Sequence, residues 1–337
     1  MTKFQRGREL EAFQDYRTAS AMLHLSEATR WVYVGPNGAW FDLEGRLRGR
    51  QGVRMTPELA GAHHLPFEHL FTEGAFQVGS TYERTNILKR TISMGITIGA
   101  PRYSSHQYRL IENNWWDSWP VGQTGWLGCH TRFGGWRWIA VMLGEAIRTS
   151  VKMDPTAHKN NMQRWDMQLI APKPYYAKPM LYQTWIPHAA TIEARGSDKE
   201  TIAIANRGQL ADWPLFLVKG PGRASVSDGM TNRMVELPVL QTSDGYVLVD
   251  TDPAERTLTG SADPVDNIFY DLIRQSAILD FLLHDISTLG LPVWRRANGI
   301  RFLSQVPPRT VANITVQHDN PDGAVTVIMP QRYTRPC

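Results

Sequence analysis

The residues of this chain that could do chemistry are few and scattered. His63-His64 is the most conspicuous histidine pair. Neighbouring side chains of a strand point to opposite faces, so these two are poorly placed to hold one metal ion together. His106, His130 and His158 stand alone in sequence and read as surface or hydrogen-bonded residues. Gly220-Pro221-Gly222-Arg223 has the small residues of a phosphate loop. It lacks a GK[ST] ending and a following helix whose N-terminus would hold the phosphate, so a turn between strands is the better reading. Asp250 and Asp252 are spaced as a pair that could share acid and base work. Beside Pro253 they read instead as loop carboxylates that support a turn. Asn313-Ile314-Thr315 matches a glycosylation sequon, a pattern common by chance. No GxSxG elbow and no HExxH helix occurs. The two cysteines, Cys129 and Cys337, form no CxxC or Cys/His zinc spacing. Neither needs a bridge, which points to synthesis in a reducing cytosol. No catalytic, cofactor-binding or metal-binding residue is assigned, no cofactor is expected, and the chain reads as something other than an enzyme.

Tryptophan is the oddity. Twelve are present, and Trp115, Trp116, Trp119, Trp126, Trp136 and Trp138 crowd one segment. A row of indoles could be a stacking platform for sugars or bases. The alternative is core plus subunit interface, where large aromatic area is also concentrated. Trp115/Trp119 and Trp136/Trp138 fall on helix and strand periods, which favours the second reading.

The whole chain sets wide bounds. At 337 residues it is comfortable for two domains, and with 42% hydrophobic and 20% charged residues it can build cores. Its net charge of +4 comes from 36 Lys+Arg against 32 Asp+Glu, without a basic block, which argues against a dedicated nucleic-acid grip. Met1–Leu10 lacks the apolar run of a signal peptide, and no stretch is long enough to span a membrane.

The elements follow from hydrophobic period. Residues 1–29 read as an N-terminal arm with a thin helical face. Trp31–Val34, Gly35-Pro36-Asn37-Gly38 and Trp40-Phe41 read as a hairpin, with Asn37 and Gly38 both suited to positive φ. Ile92, Met94, Ile96 and Ile98 alternate as a half-buried strand. Tyr108, Ile111, Trp115 and Trp119 switch to helical spacing over 104–119, with Ser104 or Ser105 as cap and Pro120 as terminator. Gly122–Gly135 reads as loop. Strands resume at Trp136–Leu143, Ala146–Met153 and Arg164–Ala171, so one helix is expected on a mainly antiparallel sheet. Pro172, Pro174 and Pro179 close this first domain, and a second begins at 182. Its short strands are Gln183–Trp185, Thr201–Ala205, Trp213–Val218, Met234–Leu237, Tyr246–Asp250, Thr310–Gln317 and Ala324–Met329. Turns at Ser243–Gly245 and Asn320–Gly323 complete the pattern of a β-sandwich. Val265, Ile268, Phe269, Leu272, Leu279, Leu282, Leu283 and Ile286 follow helical spacing after Pro264, and predict an inserted helix within a segment of about 263–300.

Four segments carry a resemblance to a known family. They are Thr201–Gly222, where a strand ends in Asn206 and the next in Gly220-Pro221; Val247–Arg256; and Val141–Pro155 with Trp165–Tyr175. Their order and spacing resemble the distal tail proteins and related minor tail proteins of long-tailed bacteriophages. The resemblance implies a mainly β (α+β) fold. Residues 30–181 would form a ring-forming belt domain, a split β-barrel or sheet with a packed helix, and 182–337 a galectin-like sandwich. It implies a structural virion protein of the tail tip or baseplate, assembled in the host cytoplasm as a homohexameric ring. Such a ring connects the tail tube to hub and fibre proteins, with the tape measure protein as a further partner, and leaves a channel for DNA in transit during genome ejection. Ile92–Ile98, Val141–Val151 and Arg164–Ile170 would form the belt. The arm and the inserted helix depart from the simplest members. Two rival readings are a carbohydrate-binding module for attachment to the host envelope and an envelope-degrading enzyme.

Overall fold

A computed structural model describes residues 29–147, 154–157, 160–254, 258–260, 296 and 299–337. The expected N-terminal arm (1–29, but for its last residue), the helix from Pro264 to Ile286 and most of the strand expected at Ala146–Met153 lie outside them. The chain divides into two compact units, Met1–Tyr176 with Thr334–Cys337, and Ala177–Tyr333.

The first unit is antiparallel. Its strands are β1 (Arg30–Val34), β2 (Trp40–Glu44), β3 (Val53–Ala60), β4 (Phe67–Thr72), β5 (Thr81–Ile87), β6 (Arg90–Gly99), β7 (Gly125–Thr131), β8 (Gly135–Leu143) and β9 (Met162–Ala171), with helix α1 (Ser105–Asp117) between β6 and β7. Hydrogen-bonded ladders run β2-β1-β7-β8-β9-β6-β3, and β3 comes back beside β2, so the sheet curls into a split barrel. Strand β6 carries the inner stripe expected of it: Ile92, Met94, Ile96 and Ile98 are all buried. Helix α1 begins with a capping box in which Ser104 accepts from the Gln107 main-chain N–H and the Gln107 side chain accepts from Ser104, which satisfies two otherwise unpaired donors. It buries Tyr108 and Trp115 and stops at Ser118, ahead of Pro120.

An aromatic core locks the helix to the first hairpin. The Tyr33 ring stacks on Trp119 at 3.8 Å and 3°, and Phe41 meets Trp115 edge-on at 4.9 Å. The Tyr33 hydroxyl donates to the Ser118 carbonyl at 2.6 Å, and burial holds its pKa well above the ordinary phenol value. The β1–β2 hairpin forms, but not with the backbone expected. Only Gly38 takes positive φ (78°). Asn37 stays outside that region and uses its side-chain oxygen to accept the Ala39 N–H at 3.0 Å, so an Asx turn does the work of the second left-handed residue.

A larger correction concerns Gly122–Gly135, read as loop. Residues Gly125–Thr131 form β7, paired on both sides by β1 and β8. Leu127 and Cys129 are the buried face. Gly128 looks like a break in sequence but is needed in the strand, because a Cβ there would come within 2.5 Å of the Trp138 ring on β8.

The second unit holds β10 (Tyr176–Trp185), β11 (Asp198–Asn206), β12 (Leu215–Lys219), β13 (Ala224–Ser227), β14 (Met234–Glu236), β15 (Tyr246–Asp250), β16 (Leu258–Gly260), β17 (Thr310–His318) and β18 (Ala324–Tyr333), with a short helix α2 (Ala189–Arg195). Pro179 lies inside β10. Two sheets, β16-β15-β12-β18-β10 and β11-β17-β13-β14, face each other across one apolar core that includes Phe216, Val226, Val249, Ile314 and Val327. The chain is therefore mainly β throughout its described residues, with two α-helices.

The segment Thr201–Gly222 shows why its residue types recur as a pattern. At the end of β11, Asn206 donates to the carbonyls of Leu210 and Val306 and accepts from the Gly208 N–H. One amide thus closes the polar loop and ties it to a distant segment. Asp212, fully buried, ion-pairs with Arg332 at 3.1 Å. Gly220-Pro221-Gly222 is the turn from β12 to β13.

Candidate assembly surface

The tryptophans expected to mark a site separate into two groups. Trp115 and Trp119 are core. Trp116 packs edge-on against Trp165 at 5.0 Å. The others gather on one face of β2-β1-β7-β8. Register puts Val32 opposite Gly128 and Asp42, and Gly128 opposite Trp138, so Trp40, Arg30, Trp126, His130, Trp136 and Trp138 share the face opposite to Tyr33, Leu127 and Cys129.

On that face the rings engage one another. Trp136 and Trp138 stack at 5.0 Å and 18°, and Trp40 meets both edge-on at 6.1 and 5.9 Å. The Arg30 guanidinium sits over Trp40 at 5.9 Å and over Trp136 at 5.3 Å. Its Nε donates at 2.9 Å to the buried carboxylate of Asp42, which also receives the Gln51 amide at 3.2 Å. Arg30 is thereby held flat between indoles by a partner that water does not reach. Trp40, at 39% exposure, is the most open ring. Indoles stacked on each other and on a guanidinium present a firm, mixed edge-and-cation surface rather than parallel free ring faces for sugars.

The second exposed feature was not visible in the sequence. Strands β4 and β5 form a two-stranded sheet of their own, paired from Phe67↔Ile87 to Thr72↔Thr81. Both of its faces are open to solvent. Phe67 (56%), Phe71 (53%) and Tyr82 (55%) are exposed, as are Phe76 and Val78 at the tip. A small aromatic ladder holds it together: Phe67 to His69 at 4.8 Å, His69 to Tyr82 at 5.8 Å, Tyr82 to Phe71 at 6.0 Å, with His69 and Tyr82 both hydrogen-bonded to the Thr85 hydroxyl at 2.7 Å. An isolated hairpin is marginal in water, and an apolar one exposed on both faces presents area that monomeric proteins normally cover.

The residues considered for catalysis stay apart. His63 and His64 lie in a bend, not a strand, both exposed, with His63 edge-on to Trp31 at 6.4 Å. His106 is exposed on α1, and His158 is outside the described residues. Asp250 accepts the Asp252 N–H at 2.9 Å and Asp252 accepts the Ala254 N–H at 3.0 Å, the turn-supporting role read for them. Among the described residues no group of three or more His, Cys, Asp or Glu side chains is placed to hold a metal ion. Among them also no helix is long and apolar enough to cross a membrane.

No protein-family model matches the chain. It is 24% identical over 335 residues to minor tail protein Gp27 of Mycobacterium phage D29, an alignment that covers 89% of this chain and 96% of that protein. Among solved structures, it is similar to the Dit protein (gp 19.1) of phage SPP1, with a TM-score of 0.53 at 10% identity, covering 90% of this chain and 99% of that one. The chain has the fold of a phage distal tail protein. A chain of the phage p2 baseplate in its activated conformation gives a TM-score of 0.45 at 10% identity, over 86% of this chain and 98% of that one. In this distal tail fold the Trp-rich face and the β4–β5 hairpin both belong to the first unit.

Proposed function

We propose that this chain is a structural subunit of a phage tail tip and assembles into a hexameric ring through its first unit. The observation that carries the reading is the β4–β5 hairpin, an arm of exposed Phe67, Phe71, Phe76 and Tyr82 that none of the described residues covers. A closed ring needs a heterologous interface, in which one patch of a subunit fits a different patch of the next. The hairpin supplies one patch. The Trp40–Arg30–Trp136–Trp138 face, rich in the residue types that dominate interface energetics, is suited to be the other.

The relative in phage D29 is called a minor tail protein, and the SPP1 structure is described as a paradigm of the hub adsorption apparatus of phages that infect Gram-positive hosts. Both descriptions support a place in the virion tail; in this reading its neighbours are tail tube, hub and fibre proteins. In this reading the first unit closes the belt and the second is a galectin-like sandwich. The lumen passes DNA without gripping it, in keeping with a net charge of only +4.

The test is the mass of the purified protein in solution. A ring gives a multiple of 38.2 kDa, and shortening the hairpin between Phe67 and Ile87 to a tight turn returns the mass to one subunit. A folded, monodisperse monomer with the hairpin intact contradicts it. A second reading, glycan attachment, rests on the exposed Trp40 beside Trp136 and Trp138. It predicts binding to host-envelope polysaccharide that Trp40→Ala and Trp126→Ala abolish without changing the mass of the assembly.

A further inference from the structure

We propose that Cys129 and Cys337 are a disulfide pair, reduced as the chain folds and bridged when it meets an oxidising solution, so that the segment Thr334–Cys337 becomes covalently fixed to strand β7.

The chain has two cysteines, separated by about 200 residues, and folding brings them together. Both belong to the first unit, to which the chain returns after completing the second. Two hydrogen bonds, from β6 and β8, and a buried proline fix the returning segment. The Arg90 guanidinium donates to the Thr334 carbonyl at 2.8 Å. Arg137 donates to the Arg335 carbonyl at 3.0 Å. Pro336 is buried. Arg137 is the direct cross-strand neighbour of Cys129, so the residue that holds the segment also fixes where its last side chain falls. The two thiols are close enough for Cys337 to raise the cost of ionising Cys129. Arg90 is itself fully buried, which makes this path a built feature rather than a loose end.

The pair is asymmetric, and that sets the order of events. Cys337 is exposed and Cys129 buried, both as free thiols in this structure. Burial pushes the Cys129 thiol up to about 12, so little of it is thiolate near neutral pH. The Cys337 thiolate therefore attacks first. With a small-molecule disulfide such as oxidised glutathione, it bonds to one sulfur, the S–S bond of the reagent breaks, and one glutathione leaves as thiolate. Cys129 then gives up its proton and attacks the Cys337 sulfur of the mixed disulfide, which expels the second glutathione. The balance is two protein thiols oxidised, one glutathione disulfide reduced to two thiols. The second step is the slow one because it needs the buried thiolate.

The bridge would close a covalent loop around the whole of Ala177–Tyr333. A chain nicked in the second unit would then stay in one piece without reductant. The inference rests on neither the ring nor the tail reading.

The experiment treats the purified full chain with oxidised glutathione and follows intact mass and peptide maps without reductant. The expected result is a transient adduct on Cys337, then a product lighter than the starting chain by two hydrogen atoms, in which the Cys129 and Cys337 peptides are linked. In Cys129→Ala the adduct persists. In concentrated urea the ratio of bridged to adduct chains falls on the order of 100-fold, because the thiols must then find each other across a long flexible loop. A stable adduct on Cys337 in the unmodified chain, a dimer linked through Cys337, or equal bridging in urea each overturns the proposal.

Discussion

Arg90 shows what a single residue contributes in this fold. It is fully buried, and its guanidinium donates to the carbonyls of Pro174, Gly61, Ala62 and Thr334 at 2.6–3.1 Å while lying 5.1 Å from the Tyr176 ring. Five fixed donors suit an arginine to collecting carbonyls that no strand ladder reaches. Arg90→Ala strands those acceptors and should cost about 3 kcal/mol or more in denaturant unfolding of the first unit; a loss under about 1 kcal/mol would show that water replaces the guanidinium. His318 makes a case for pH. Its ring is buried, Nδ1 accepts the Asn320 N–H at 2.9 Å and Nε2 donates to the Lys219 carbonyl at 3.2 Å, so the neutral tautomer is the one that fits. Burial holds its pKa below the ordinary 6.5. The unfolded chain then binds the proton more readily than the folded one, so this stability is complete above 6.5 and is lost as pH falls from 6.5 toward the folded value. The melting temperature of the second unit should drop over that window, and less steeply in His318→Gln. Equal slopes would remove His318 from the account. Some of this scale was legible in the sequence, such as Ser104 as one of two expected caps and, through the family resemblance, Asn206 as the end of a strand. The partners of Arg90 and the meeting of Cys129 with Cys337 were not, since both depend on segments far apart in the chain.

At the scale of elements, legibility followed burial. Strand β6 announced itself because every second side chain from Ile92 to Ile98 is apolar and buried, while the residues between them are small or polar. Strand β7 hid because Gly125 and Gly128 suggest a break, and only the Tyr33 and Trp138 rings lying over them explain why no side chain fits. The β4–β5 hairpin hid for the opposite reason. With both faces exposed in its own chain, nothing imposes an apolar/polar alternation on it. In the proposed ring a neighbouring subunit would cover it. Phe71→Asp and Tyr82→Asp should therefore leave the melting temperature of the isolated subunit nearly unchanged and weaken association by about 2 kcal/mol each, roughly 30-fold in the association constant. Sedimentation at a series of concentrations measures it. Unaltered association in the double variant would take the hairpin out of the interface.

For the molecule as a whole, a division into two compact units suits a protein that closes a ring with one half and presents the other. The mainly β fold followed from short apolar runs and turn residues, whereas the strand order of the sandwich did not. The curl of the first sheet into a split barrel did not, because it depends on β3 returning beside β2, a pairing that period alone cannot specify. The central claim is the ring. Its most direct test is electron cryomicroscopy of the virion tail tip with this chain traced in the map. The account predicts six copies in one closed ring around an open lumen, with the β4–β5 hairpin of each buried against its neighbour. Single copies decorating a fibre, or a three-fold arrangement in a fibre alone, would contradict it.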